Sequence, residues 1–366
     1  MNEIKFTGVE TIDSDLPSFG CEAKIMFQGA EKVLTEFSGE VTYIGALTPK
    51  LVAMSPRFGT VTGGTDVTFS GSGFSAVPAE NSITIDGIDC PVSTAAEDAI
   101  TCTTGKRPGL RISTLVIKVA NKGNAALQQK LFRYVSMWTD DTTWGGEFAP
   151  MEMESVYVPT GLNLFVDIDT TPMLNTLIVE GSLIFAPELD PLHHRTFDAH
   201  IIFVRNGKME VGTEEFPYTS KITITMHSDL LDPYLPIYGN KVIGCRYCEL
   251  DMHGPVRIPT WTFMEETAEV GANQITLRQE VDWVVGELIG VASTDFNGRH
   301  AEKRTIMAID KTIADKPVIT MDKPFEYKHY AATEAYGDDT IDMRAEVGLL
   351  SRNVKFQGDP ETSAIN

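Results

Sequence analysis

The spacing of its short β-rich runs constrains this chain more than any other feature. From residue 177 onward, apolar strand-like runs alternate with glycine turns: LIVEGSLIF (177–185), IIFVRNGKMEVG (201–212), ITITM (222–226) and KVIGCRYCELDM (241–252). They return every ~20 to 25 residues, a period that signals stacked repeats. One such unit cannot bury its inward face alone and must stack on a neighbour. The runs are continuously apolar rather than strictly alternating, which favours a parallel β-helix over a large Greek-key sandwich. Helix-like patterning is weak and confined to short stretches near 262–267 and 330–336.

Upstream the rhythm differs. Residues 50–135 hold short strands separated by turns, such as Asp66-Val67-Thr68-Phe69, Ser82-Ile83-Thr84-Ile85 and Leu115-Val116-Ile117-Lys118-Val119. That pattern reads as a β-sandwich of ~100 residues. The expected fold is therefore all-β: an immunoglobulin-like β-sandwich followed by a parallel β-helix. Four segments are expected: a short module over 1–48, the sandwich over 50–135, a first β-helical segment over 137–262 and its continuation over 263–366. The link from Tyr134 to Trp138 is short and lacks glycine, so the junction should be stiff.

Charge narrows the partners. The chain has 366 residues and a net charge of −21. Residues 1–136 carry 14 acidic and 12 basic side chains, leaving 37 acidic and 18 basic for the remainder. A surface this acidic repels phosphate backbones, so nucleic acid is not an expected partner. It also disfavours polyanionic glycans unless a cation or basic patch intervenes. No apolar run approaches the ~18 residues of a membrane span, and Glu3, Glu10, Asp13 and Asp15 interrupt the N-terminus where a signal peptide would be apolar. Direct membrane insertion by this segment is not expected, and a secreted protein containing it would be longer than this chain. Five cysteines (Cys21, Cys90, Cys102, Cys245 and Cys248) are too few for a disulfide scaffold.

Specific motifs carry a family resemblance. Residues 51–74 read LVAMSPRFGTVTGGTDVTFSGSGF: an apolar strand, Ser-Pro, a Gly-Gly turn, a strand, then Gly-x-Gly-Phe. This resembles the opening of IPT/TIG domains, and Ile85-Asp86-Gly87, the Cys90/Cys102 pair and Phe132-Arg133-Tyr134 continue the pattern. TTWGGEFAPMEMESVYVPTGLNLFVDID (142–169), LNTLIVEGSLIF (174–185), GTEEFPYTSKITITMH (212–227), LPIYGNKV (235–242) and LDMHGPVRIPTWT (250–262) resemble, in order, the G8 domain. VDWVVGELIGVASTD (281–295) and MRAEVGLLSRNVKFQGD (343–359) resemble the stretch C-terminal to that domain in fibrocystin-like proteins. Residues 19–49, ending ALTPK, look like the tail of a preceding IPT/TIG domain.

The resemblance implies a large extracellular or ciliary-surface protein, with other surface proteins and also glycans as candidate partners. It implies an oxidising compartment, in which Cys90 and Cys102 would form a disulfide. The same G8 architecture occurs in cell-surface and secreted hyaluronidases, which carry an inserted domain soon after the segment matching LDMHG…TWT. Here Trp261 runs almost directly into VGANQITLRQEVDWVVGELI, which reads as leaving no room for an insert and argues against that activity.

Strand alternation marks the candidate site residues. In Leu162–Asp169, Asp167 and Asp169 face away from Leu164, Val166 and Ile168, ~7 Å apart at Cα. They could hold Ca²⁺, although two carboxylates fall short of the six to eight oxygens that ion takes; no cofactor is expected otherwise. Thr223, Thr225, His227, Glu249, Asp251 and His253 project outward if coils stack, and His227, Asp251 and His253 could then form a ligand-binding or acid–base cluster. A polar ladder that merely caps turns is the favoured reading. Cys245 and Cys248, taken as one strand, would lie ~10 Å apart, beyond the ~7 Å disulfide limit, and read as packing residues. Adjacent His193 and His194 read as solvent-facing. No nucleophile elbow, P-loop or HExxH is present, so a non-catalytic scaffold and binding segment is expected, with a carbohydrate-binding or carbohydrate-degrading protein as the alternative.

Overall fold

The computed structural model describes residues 24–27, 30–33, 48–107, 114–127, 132–185, 192–229, 231–232, 234–313 and 315–363. Cys21 and most of the segment expected as a module over 1–48 lie outside them. Within that segment, Lys24–Phe27 pairs antiparallel with Ala30–Val33. The chain is all-β, and its one α-helix among the described residues is Pro360–Ser363.

Residues 50–127 fold as two packed sheets. One has the order Gly123–Asn124, Leu115–Val119, Asn81–Ile85, Ile88–Asp89; the other has Ala126–Leu127, Lys50–Ser55, Asp66–Ser72, Ala99–Thr103, Val92–Ala95. Alternation sets the inner faces: Leu115, Ile117 and Val119 are buried while Val116 and Lys118 are exposed. Leu51, Phe69, Phe74, Ile83, Ile100 and Phe132 fill the space between. Gly71 is dictated by a close approach, since a Cβ there would lie 1.8 Å from the Lys50 carbonyl oxygen. Cys90 and Cys102 are disulfide-bonded, with Cα atoms 5.4 Å apart, and tie one sheet to the other. The loop they close spans 12 residues. Replacing both by alanine should therefore lower sandwich stability by ~3 kcal/mol in the chain-entropy picture. Urea denaturation of the doubly substituted chain checks this, and an unchanged midpoint contradicts it.

The sandwich does not end where the next unit begins. Arg133–Met137 pairs parallel with Phe58–Thr60 on one side and with Asn163–Phe165 on the other. From there the parallel ladder continues through Ser182–Phe185 and Lys208–Val211 to Glu249–Met252. A second ladder runs Ser155–Val158, Leu174–Val179, His194–Arg205, Lys221–Met226, Val354–Gly358. Val242–Arg246 joins it on the second half of the long strand His194–Arg205. Parallel neighbours place like side chains in columns, such as Leu164, Leu183 and Met209, or Val158, Val179 and Val204, all fully buried. Leu177, Val179, Leu183 and Phe185, the inward residues that the sequence singles out, are each 0% exposed. Phe185 meets Phe197 edge-on at 5.2 Å.

Two expectations are corrected. Residues 263–366 do not simply continue the parallel stack. Trp261–Phe263, Glu346–Leu349, Leu288–Val291, Glu302–Asp310, Val318–Met321 and Gln274–Thr276 form an antiparallel sheet in that spatial order. Its core is separate and includes Leu277, Trp283, Ile289, Ile306, Phe325 and Val347. Short connections allow hairpin pairing here, whereas parallel neighbours need a long crossover. Among the described residues of this stretch, only Val354–Gly358 returns to the ladder, beside Lys221–Met226. A module is thus inserted between Met252 and Val354, where the sequence reads as leaving no room.

The second correction concerns Cys245 and Cys248, which are disulfide-bonded at a Cα distance of 5.5 Å. The strand ends at Arg246, and Tyr247 takes a left-handed φ of 50°. That turn brings together two sulfurs which an extended chain would hold apart.

Candidate functional site

The outer face of the first ladder is not solvated where it meets the sandwich. Glu210 and Ile184 are register partners pointing away from the coil core, yet they are 2% and 0% exposed. The sandwich edge covers them. Phe58 packs on Phe165 with ring centroids 5.2 Å apart. Arg57 lays its guanidinium over the Phe216 ring at 3.2 Å. Arg133 donates to Glu210 Oε2 at 2.7 Å. Beside this seam opens a cleft of about 610 Å³, lined by residues of the sandwich edge and of the ladder, among them Arg57, Phe58, Lys208, Glu215, Asp251 and His253.

Lys208 organises the ladder side. Its Nζ donates to Glu249 and Asp251 at 2.8 Å each and lies 3.3 Å from Glu210. Burial pulls the ammonium down, but the carboxylates of Asp251, Glu249 and Glu210 outweigh it and hold the group well above the ordinary lysine value. Stacking makes the cluster: Lys208 faces Glu249 and Glu210 faces Asp251 across adjacent strands. The Lys208 hydrogen bond in turn holds the Asp251 carboxyl below the usual range, with His253 adding to it. His253 Nε2 lies 2.5 Å from Asp251 Oδ1.

The residues that the sequence proposes divide among four sets of partners. Asp251 and His253 meet in the cleft. His227 does not join them: it sits at the end of a second-ladder strand, 2.9 Å from Asp198 and 3.9 Å from Asp359. Asp167 accepts from the backbone N–H and hydroxyl of Thr139, at 3.0 and 2.5 Å. Asp169 pairs with His193 at 3.1 Å. The two carboxylates therefore go to separate partners, and the described residues contain no group of three or more His, Cys, Asp or Glu side chains placed to share a metal. His194, read as solvent-facing, is exposed but bonds Thr223 at 2.9 Å. Arg57, Arg133, Lys208 and Glu210 are not singled out by the sequence. The i, i+2 spacing of Lys208 and Glu210 places them on one strand face, but which carboxylates oppose them is fixed only by coil register.

The chain is an all-β protein in which an immunoglobulin-like sandwich leads through a shared strand into parallel ladders. The IPT/TIG domain model matches residues 49–134 and the G8 domain model matches residues 143–265. Human fibrocystin-L is 33% identical over 89% of this chain, mouse fibrocystin 25% over 80%, and protein rliB of Dictyostelium discoideum 26% over 62%. The chain therefore carries an IPT/TIG domain leading into a G8 domain and is similar over most of its length to fibrocystin-L and fibrocystin. It spans 8% of the human fibrocystin-L length, 7% of mouse fibrocystin and 19% of rliB.

Proposed function

We propose that this segment is a non-catalytic, rigid scaffold and partner-binding unit of an extracellular or ciliary-surface protein, with its coil stack acting as a parallel β-helix. The observation that carries the reading is the shared strand Arg133–Met137, paired on one edge to the sandwich and on the other to the coils. A hinge between the units would have to break ladder hydrogen bonds, separate the Arg133–Glu210 pair and unstack Phe58 from Phe165. Orientation is then fixed by backbone pairing rather than by a linker, which suits an element that spaces binding surfaces. Its partners are other surface proteins. Among the described residues, no helix is long and apolar enough to cross a membrane. Small-angle scattering should fit a single fixed arrangement of the two units; a profile that needs a wide spread of interdomain angles contradicts the proposal.

The Asp251–His253 pair in the cleft favours a second reading, a glycan-cleaving site. Its chemistry argues against it. Lys208 keeps Asp251 ionised, which suits a hydrogen-bond acceptor and not a general acid. A glycan-depolymerisation assay should show no turnover with or without Ca²⁺. Turnover abolished by His253→Ala, but retained in Lys118→Ala on an exposed sandwich strand, would favour the enzyme.

A further inference from the structure

Among the described cations around the cleft, Arg57 alone lacks an acceptor. Lys208 has three carboxylates, Arg133 has Glu210 and His253 has Asp251. The Arg57 guanidinium is held by aromatic rings instead, 3.2 Å over Phe216 and 5.6 Å from the centre of Phe58. Among the described residues, no carboxylate or hydrogen-bond acceptor pairs with it. Contact with the rings spends none of the guanidinium N–H groups on an oxygen acceptor among the described residues, and such a fork of donors matches a carboxylate in bidentate fashion. Burial holds the guanidinium below the ordinary arginine value; the Glu215 and Glu210 carboxylates act through space in favour of the cation and Arg133 against it, and burial prevails, a cost that an anion in direct contact relieves.

We infer that the cleft between the IPT/TIG edge and the first G8 ladder binds a small monocarboxylate with a flat apolar body, its carboxylate on Arg57 and its body against Phe58 in the cleft wall. The cleft, at about 610 Å³, has the volume of a small-molecule site. A single negative charge is favoured over two. Glu210 and Asp251 are already paired, but the exposed carboxylates of Glu214 and Glu215 stand at the rim and repel a dianion. The same rim, within a strongly acidic chain, disfavours a polyanionic chain. This site goes beyond scaffolding, and the rigidity of the junction stands or falls independently of it.

Fluorine NMR of 4-fluorobenzoate titrated with the unaltered protein tests the inference, with 4-fluorobenzamide as the uncharged isostere and phenyl phosphate as a competitor. Saturable benzoate binding is expected, with the amide at least ~10-fold weaker, as a lost charge-assisted hydrogen bond implies. Phenyl phosphate should compete no better than benzoate itself. Arg57→Gln should weaken benzoate by a similar factor while leaving the thermal unfolding of the sandwich in place. Equal binding of benzoate and benzamide, stronger competition by phenyl phosphate, no saturable benzoate binding, or full affinity in a folded Arg57→Gln protein would each overturn it. Should Arg57→Gln fail to fold, the benzoate–benzamide comparison on the unaltered chain decides alone.

Discussion

Replacing Glu302 by alanine should strongly destabilise the inserted antiparallel module while leaving the parallel stack assembled. The Glu302 carboxylate is 5% exposed and collects four partners: the guanidinium of Arg304, His329 Nε2 at 2.9 Å, and the backbone N–H groups of Glu326 at 2.9 Å and Tyr327 at 3.1 Å. Arg304 and His329 are themselves 8% and 0% exposed at the side chain. Removing the anion leaves buried positive and polar groups without their acceptor, which costs about 3–5 kcal/mol. A domain has only ~5–15 kcal/mol in total. Burial pushes the Glu302 carboxyl up, but the Glu326 amide, the His329 ring and the Tyr327 amide outweigh it and hold the group below the ordinary glutamate value. A depressed folded value means that this stabilisation is complete above the unfolded carboxylate range and is lost as pH falls through the folded value. Acid should therefore melt the module in the unaltered protein, and Glu302→Ala should blunt that acid dependence as well as lower stability. Near-ultraviolet circular dichroism of the module's buried Trp283, followed against urea and pH, reads both effects. Loss of less than ~1 kcal/mol would contradict the network's role.

Phe185→Ala should have a comparable effect on the coil stack. Phe185 is fully buried and meets Phe197 edge-on, and Phe197 in turn meets Trp138 at 6.4 Å. This aromatic chain links the first ladder to the second and to the turn after the shared strand. Deleting the ring should cost about 3–5 kcal/mol, the range for large-to-small changes in packed cores. Chemical denaturation followed through Trp138, with the inserted module as internal reference, measures it. A shift confined to the module, or none at all, would place the coil core elsewhere.

The inward columns are legible because strand alternation and the return of glycine turns both report on burial, so Leu177, Val179, Leu183 and Phe185 can be named from spacing alone. The cleft is not. Arg57 and Arg133 meet Lys208 and Glu210 only because the sandwich edge folds over a ladder face that an isolated β-helix would leave wet. Outward position therefore reads as solvent exposure at Glu210, where the structure has burial. His227 and His253 both face outward, but outward on two different ladders does not mean together. In the inserted module burial alternates, with Glu302, Arg304 and Ile306 on one strand face, but two of these buried positions carry charges and hide the alternation from the sequence. Half-covered antiparallel strands show that alternation, while strands of the stack are more continuously apolar. The cysteine pair at 245 and 248 is hidden by extending the strand one residue too far, through Tyr247.

The central claim is that one strand belongs to both domains, and amide hydrogen exchange at the junction tests it most directly. Val61 N–H donates to the Val135 carbonyl at 3.1 Å, Trp138 N–H to Phe165 at 2.9 Å, and Val166 N–H to Ile184 at 3.0 Å, successive links across the seam. If sandwich and coils are one hydrogen-bonded body, these three amides exchange slowly and at closely similar rates, matching those of the buried ladder strands, because all of them open only in the same large unfolding event. Fast exchange at Trp138 and Val61, with the sandwich core and the Ser182–Phe185 strand still protected, would show the junction opening by itself and would contradict the account.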